Sequence, residues 1–312
     1  MIAPSTPSVH LILGGCGFIG MAVAMQLLRE GKQVVLADRT TPETLPPGMS
    51  FIPFNLENAD WGALIDGVNV IHHYAWSSIP ATADANPAAD LAQNAIPTLS
   101  LLDAMKRQGT QAPRLVFTSS GGTVYGRLRR VPVPEDHPLQ PVTAYGAGKA
   151  SVEMYMSQHR LLHGLDCRIA RLSNPFGAGQ NVARGQGAAS VFLHKALRGE
   201  VIEIWGDGEV MRDYVHISDV AVGLVALATC ELPEHTHIFN IGSGKGTSLN
   251  GIVTEIEHHL GHSISVRRTP SRPFDVPISI LDISLARDLL GWVPRLNFAD
   301  GMARTIDELG KI

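Results

Sequence analysis

The chain has 312 residues, 45% of them hydrophobic and 17% charged, with a formal net charge of -4. That is the balance of a globular chain long enough for one large domain, or a domain with a smaller lobe, and it gives no reason to expect nucleic acid or an anionic membrane as partner. Cys16, Cys167 and Cys230 are too scattered for a disulfide framework, and the adjacent pairs His72-His73 and His258-His259, without HExxH or a Cys/His cluster, argue against a metal site.

The N-terminal "MIAPSTPS" lacks the charged start and apolar run of a signal peptide. No apolar run approaches the ~20 residues that span a bilayer, so a cytoplasmic location is expected. "VHLILG" (9–14) then reads as a strand and 18–30 as a helix. Between them Gly14, Gly17 and Gly20 stand at GxxGxxG spacing. Missing side chains there permit a tight turn and close approach of a pyrophosphate, to which the helix N-terminus offers free N–H groups. The next strand, "QVVLAD" (33–38), ends in Asp38, eighteen residues beyond Gly20. That is near the ~20 expected for the carboxylate that accepts the adenosine ribose hydroxyls. A carboxylate also repels a 2′-phosphate and so favours NAD, whereas Arg39 beside it suits NADP. A solvent-exposed strand-end Asp38 is the plain alternative.

Strands follow at "SFIPFN" (50–55), "NVIHHYA" (69–75), "RLVFTS" (114–119) and "DCRIARL" (166–172), with helical stretches at 59–66, 87–108 and 144–163. Apolar strands alternating with helices predict a doubly wound parallel sheet covered on both faces. In "TAYGAGKAS" (143–151) Tyr145 and Lys149 share one helix face behind Thr143 as N-cap. With a dinucleotide beside them the pair acquires chemistry. An ammonium and a nicotinamide cation lower the phenol's pKa, so the Tyr can take a proton from a sugar hydroxyl while hydride leaves the same carbon. After about residue 174 the rhythm changes: a Gly-rich loop, a helix at 188–198, strands at 201–206, 237–242 and 263–268, a helix at 248–260, a Pro-rich loop at 269–277 and two short helices.

The ordered set Gly14–Gly20, Asp38, "TSSGGTVYG" (118–126), "YGAGK", "RLSNPFGAGQ", "GDGEVMRDYVHISDVA" and "FNIGSGKGTSL" resembles the extended short-chain dehydrogenase/reductase family, in its nucleotide-sugar epimerase branch typified by UDP-galactose 4-epimerase. The resemblance covers nearly the whole chain. It implies an α/β fold with a Rossmann-type NAD-binding domain over 1–174, to which about 213–242 returns, and a smaller C-terminal α/β substrate lobe, mainly 175–312. For the cofactor, NAD, it implies Gly14, Gly17, Phe18, Ile19, Gly20, Asp38, Arg39, Asn55, Leu56, Tyr74, Ala75, Asn94, Ser119, Tyr145 and Lys149. For the substrate, a nucleotide sugar and foremost a UDP-sugar, it implies Ser77, Ser120, Gly121, Asn174, Arg212, Arg272 and Ser279. Arg212 and Arg272 would clamp the diphosphate with guanidinium forks, although Arg212 beside Asp213 also reads as an internal ion pair. A homodimer through helices 87–108 and 149–163 is implied in the same way.

Two places depart from the family pattern. The helper hydroxyl that usually lies three residues before "VYG" is replaced by Gly121, which leaves Ser120 and Thr123 as substitutes. The Asp-hydrophobic pair at adenine reads Asn55-Leu56, where Asn still accepts through its amide oxygen while also offering a donor. The segment "GGT" carries no carboxylate, which disfavours the dehydratase and decarboxylase branches and favours a 4-epimerase that works through a 4-keto sugar. Ser279 stands where a Tyr restricts other epimerases to unsubstituted hexoses, so a UDP-N-acetylhexosamine is expected alongside UDP-hexose. Arg184 leaves a UDP-hexuronate open. A nucleotide-sugar reductase or dehydrogenase, and a non-catalytic cofactor sensor, are the remaining readings.

Overall fold

The computed structural model describes residues 8–270 and 276–310. Its elements begin with β1 (Val9–Leu13), α1 (Phe18–Arg29), β2 (Gln33–Asp38), β3 (Met49–Pro53), α2 (Trp61–Leu64), β4 (Val70–His73), α3 (Pro80–Ala85) and α4 (Pro87–Asp90). α5 (Ile96–Gln108), β5 (Arg114–Ser120), α6 (Ala144–His163) and β6 (Cys167–Leu172) complete the alternation expected from the apolar runs. Next come β7 (Asn174–Phe176), α7 (Ala188–Leu197), β8 (Ile202–Trp205), β9 (Met211–His216), α8 (Ile217–Thr229) and β10 (Ile238–Ile241). The last are β11 (Gly246–Ser248), α9 (Leu249–Leu260), β12 (Val266–Thr269), β13 (Ile278–Ser279), α10 (Ser284–Leu290) and α11 (Phe298–Leu309).

A seven-stranded sheet runs β10-β6-β5-β4-β1-β2-β3. Its pairs β1–β2, β2–β3, β1–β4 and β4–β5 are parallel. The order reverses beside β1, and the carboxyl ends of β1 and β4 flank the crevice where ligands of doubly wound sheets lie. β4 is buried at every position, which is why its sequence shows no polar alternation.

The helix expected over 87–108 is interrupted. α4 ends at Asp90, a single π-helical turn covers Leu91–Ala95, and α5 resumes with Pro97 in its first turn. Pro97 has no N–H to give the preceding turn, so the ladder changes register there. β9 and α8 occupy "MRDYVHISDVAVGLVALAT", a stretch for which neither element was expected from the sequence.

The chain forms two compact units. The first comprises residues 1–124, 141–170 and 224–238, and the second 125–140, 171–223 and 239–312. Residues 125–140 thus belong to the second unit, and residues 224–238 return to the first. Leu11, Leu13, Ile71, Leu101, Phe117 and Val152 centre the first core, and Phe176, Leu193, Ile204, Ile252 and Met302 the second. Full burial of each such side chain contributes roughly 1.5–3 kcal/mol. No helix among the described residues is long and apolar enough to cross a membrane, and no group of three or more His, Cys, Asp or Glu among them is placed to hold a metal ion.

Candidate active site

The glycine turn links β1 to α1. Gly14 has a φ of +79°, and a Cβ there would stand 2.9 Å from Ala75 N. A Cβ on Gly20 would lie 2.2 Å from Gly14 O, so α1 packs against the turn only because Gly20 has none. Gly17 caps α1 without a side-chain acceptor, and no acidic residue occupies the first turn. The N–H groups of Phe18, Ile19 and Gly20 thus open the helix with a partial positive charge.

Asp38 at the end of β2 accepts from Cys16 N at 3.0 Å and Thr40 N at 3.2 Å, which anchors its carboxylate and leaves lone pairs for ribose hydroxyls. Arg39 beside it is exposed. Asn55 Oδ1 accepts from Glu57 N at 3.2 Å, which caps the following turn and leaves one lone pair and the amide NH2. Leu56 is buried. The Tyr74 hydroxyl pairs with His72 Nδ1 at 2.9 Å, and it is the Tyr74-Ala75 backbone that faces Gly14. An ungated helix N-terminus, a cradle closed to any Cβ and an anchored carboxylate fit a dinucleotide.

α6 carries the Tyr–Lys pair. Thr143 Oγ1 caps it by accepting from Gly146 N at 3.1 Å. A Cβ on Gly146 would meet Thr123 O at 2.7 Å, and one on Gly148 would meet Asp90 Oδ2 at 3.1 Å and Trp76 Cζ2 at 3.4 Å. The small residues around the pair thus let the helix lie directly on its neighbours. Lys149 Nζ donates to Thr118 O at 2.8 Å and sits 3.8 Å from the Trp76 ring centroid. Burial draws Lys149 down to about 7, against the pull of Asp90 and Glu153. Tyr145 departs from expectation. Burial, then the Asp90 charge, push its phenol above the usual range, and Lys149 stands 5.8 Å from its ring centroid.

The hydroxyls lie at the end of β5 and in the turn after it. Ser119 is buried with Oγ unpartnered, and Thr123 Oγ1 is likewise buried without a partner. Ser120 is half-buried at the strand end, where its carbonyl accepts from Thr123 N and Val124 N at 3.1 and 3.0 Å. Gly121 in that turn is buried. Asn94 is committed internally: its Oδ1 accepts from Ser77 N and Ser77 Oγ at 2.8 and 3.1 Å, and its Nδ2 donates to the Asp90 carbonyl and Oδ1 at 3.0 and 2.9 Å. Asn94 and Ser77 therefore brace the loop after β4.

Sequence reasoning missed Asp90, Trp76 and a part-buried line in which Ser8 Oγ, His10, His72 and Tyr74 OH are joined at 3.1, 2.9 and 2.9 Å. Only the acid and indole in otherwise apolar or small surroundings were a signal.

In the second unit, three of the expected substrate residues lie on β9 or on strands paired with it. Asn174 lies on β7 opposite Tyr214, and its Nδ2 donates to Asp213 O at 2.9 Å. Arg212 is in register with Ser279 of β13 and donates to Val276 O at 2.7 Å. Ser279 is buried. Asp213 accepts instead from Ser243, Gly244 and Leu281. Arg272 and the side chain of Arg184 lie outside the described residues.

Residues 10–242 match the model of the NAD dependent epimerase/dehydratase family. UDP-glucose 4-epimerase of Mycolicibacterium smegmatis is 32% identical over 308 residues, covering 95% of this chain and 97% of that one. The crystal structure of UDP-glucose 4-epimerase from Thermotoga maritima with UDP-glucose superposes with a TM-score of 0.90 at 30% identity, over 97% of this chain and 99% of that one. The Thermus thermophilus UDP-glucose 4-epimerase complex with NAD gives a TM-score of 0.87 at 28% identity, over 97% and 99%.

Proposed function

The chain belongs to the NAD-dependent epimerase/dehydratase family, with NAD as cofactor, and from that premise we propose that it is a nucleotide-sugar 4-epimerase acting on a UDP-hexose or UDP-N-acetylhexosamine. The observation that carries this reading is the Tyr145–Lys149 pair set against a turn, residues 118–126, that holds hydroxyls and no carboxylate. Dehydration or decarboxylation asks for an acid or base besides the Tyr, and this turn supplies none.

Tyr145 takes the proton of the sugar 4-hydroxyl as the 4-keto sugar forms and returns it after the sugar presents its other face. NAD, when bound, supplies a hydride acceptor and donor and a positive charge beside the phenol. Lys149, held on Thr118 O, adds the second positive charge that favours phenolate. Gly14, Gly17, Phe18, Ile19 and Gly20 would hold the cofactor diphosphate, and Asp38 its adenosine ribose. Ser120 is the helper hydroxyl in this reading, because Thr123 Oγ1 is shut off from solvent and Ser120 is not. Asn174 and Arg212 would hold the substrate diphosphate.

The small Ser279 favours a substrate with an N-acetyl group at C2 as the second sugar class. Apolar residues on α5 and α6 support a homodimer: Ile96, Met154, Tyr155 and Leu162 are exposed, and Leu161 is 84% exposed. Incubation with UDP-glucose, UDP-GlcNAc and UDP-glucuronate separately, with no added cofactor and the anomeric protons followed by NMR, tests the reading. A C4 epimer of either of the first two supports it. Turnover of none, or reduction that consumes added NADH or NADPH, removes it.

A further inference from the structure

One charged group near Tyr145 and Lys149 has no part in the reaction above. Asp90 ends α4 and is 3% exposed. Its Oδ1 accepts from Ser78 Oγ and from Asn94 Nδ2. Its Oδ2 is buried with no hydrogen-bond partner. A carboxylate oxygen out of water without a donor is destabilising unless a positive charge compensates it. The oxygen faces α6 at Gly148, the residue before Lys149, since a Cβ on Gly148 would stand 3.1 Å from it. Trp76 flanks the same point, with its ring under Lys149 Nζ, and Trp76 Nε1 donates at 3.0 Å to Ser78 Oγ, the hydroxyl that in turn donates to Asp90. One hydroxyl therefore couples the carboxylate to the aromatic seat of the ammonium.

We propose that Asp90 is a positioning residue: through Ser78 it fixes the Trp76 ring as the seat of the Lys149 ammonium, and its unpaired oxygen supplies the negative charge that keeps this ammonium protonated. The inference deepens the epimerase reading and rests on it for the role of Lys149. Around Lys149, α6 contributes Glu153 and Tyr145, α4 contributes Asp90, and β4 contributes His73. β5 adds only the Phe117 ring and the Thr118 carbonyl. Of the two anions, Asp90 acts on Lys149 more strongly than Glu153, and it also acts on Tyr145, where it favours the neutral phenol. His73 is held neutral by its burial, then by Lys149 itself.

The Trp76 indole reports the charge above it, because an amine changes its interaction with the ring on protonation. Emission of the NAD-saturated protein is titrated from about pH 5 to about pH 9, a range that brackets a lowered Lys. The Trp76→Phe curve is subtracted to remove Trp61, Trp205 and Trp292. The wild type shows one transition, which Lys149→Met abolishes. Asp90→Asn moves the midpoint down by roughly one pH unit or more, and Asp90→Glu restores most of the shift. Asp90→Ser serves where the Asn variant fails to fold. A midpoint unmoved in the Asn or Ser variant, or a transition that survives Lys149→Met, overturns the proposal whatever the activity. A shifted midpoint in a protein that converts no nucleotide sugar upholds the coupling of Asp90 to Lys149 and sinks the epimerase reading alone.

Discussion

Tyr145 is half-buried in surroundings that keep its proton on, and the same surroundings bring Lys149 down to about 7. A phenol in that position becomes a base only when positive charge gathers beside it. Tyr145→Phe keeps the ring and its edge-on packing against Trp76 and removes the proton acceptor. Turnover is expected to fall by at least ~100-fold, with bound NAD retained, as read by conversion of the UDP-sugar and by the cofactor released on denaturation. Ser120→Ala is expected to lower turnover by more than Thr123→Ala, and the reverse order would make Thr123 the helper.

At the scale of elements, the turn from β1 into α1 is held together by what its glycines lack. Gly20→Ala places a methyl inside contact with the Gly14 carbonyl, and such overpacking costs about 1–3 kcal/mol. The variant is expected to purify with little NAD and a lower melting temperature. An Ala variant that holds NAD as the wild type does would show that the helix start is not the diphosphate site. The glycine turn, Asp38 and the Tyr–Lys helix were legible because each depends on residues close in the chain. Asp90 and Trp76 were not, because what they do is set by α6, and Gly148 is far from both in sequence. The break after Asp90 was equally hidden: "NPAADLAQNAIPTLSLLDAMKRQG" keeps helical periodicity through the π-turn.

At the scale of the whole molecule, buried imidazoles tie stability to pH. His10 is lowered from 6.5 to about 4 by burial, then by Lys32 and Arg114, and His73 to about 3 by burial, then by Lys149. His72 is lowered well below the ordinary value by burial, then by His10. The unfolded chain binds protons on these groups below its ordinary 6.5 while the fold does not. Their stabilisation is therefore complete above pH 6.5 and is lost as the pH falls towards about 4, at about 1.4 kcal/mol per pH unit for each histidine. Melting temperature recorded against pH should fall through that window, and His10→Gln should flatten the slope. A flat profile in the wild type would mean that these rings are charged in the fold.

The chain passes between the two units at residues 124, 140, 170, 223 and 238. Neither unit is a continuous length of polypeptide, so no single cut yields either one whole. During synthesis the first unit waits for residues 224–238, and β6 has no β10 beside it until residue 241 has left the ribosome. The glycine turn and Asp38 emerge early, yet the sheet that supports them is finished only when most of the chain has been translated. A nascent chain stalled before that point presents β6 as an open strand edge, and open edges invite pairing with other chains.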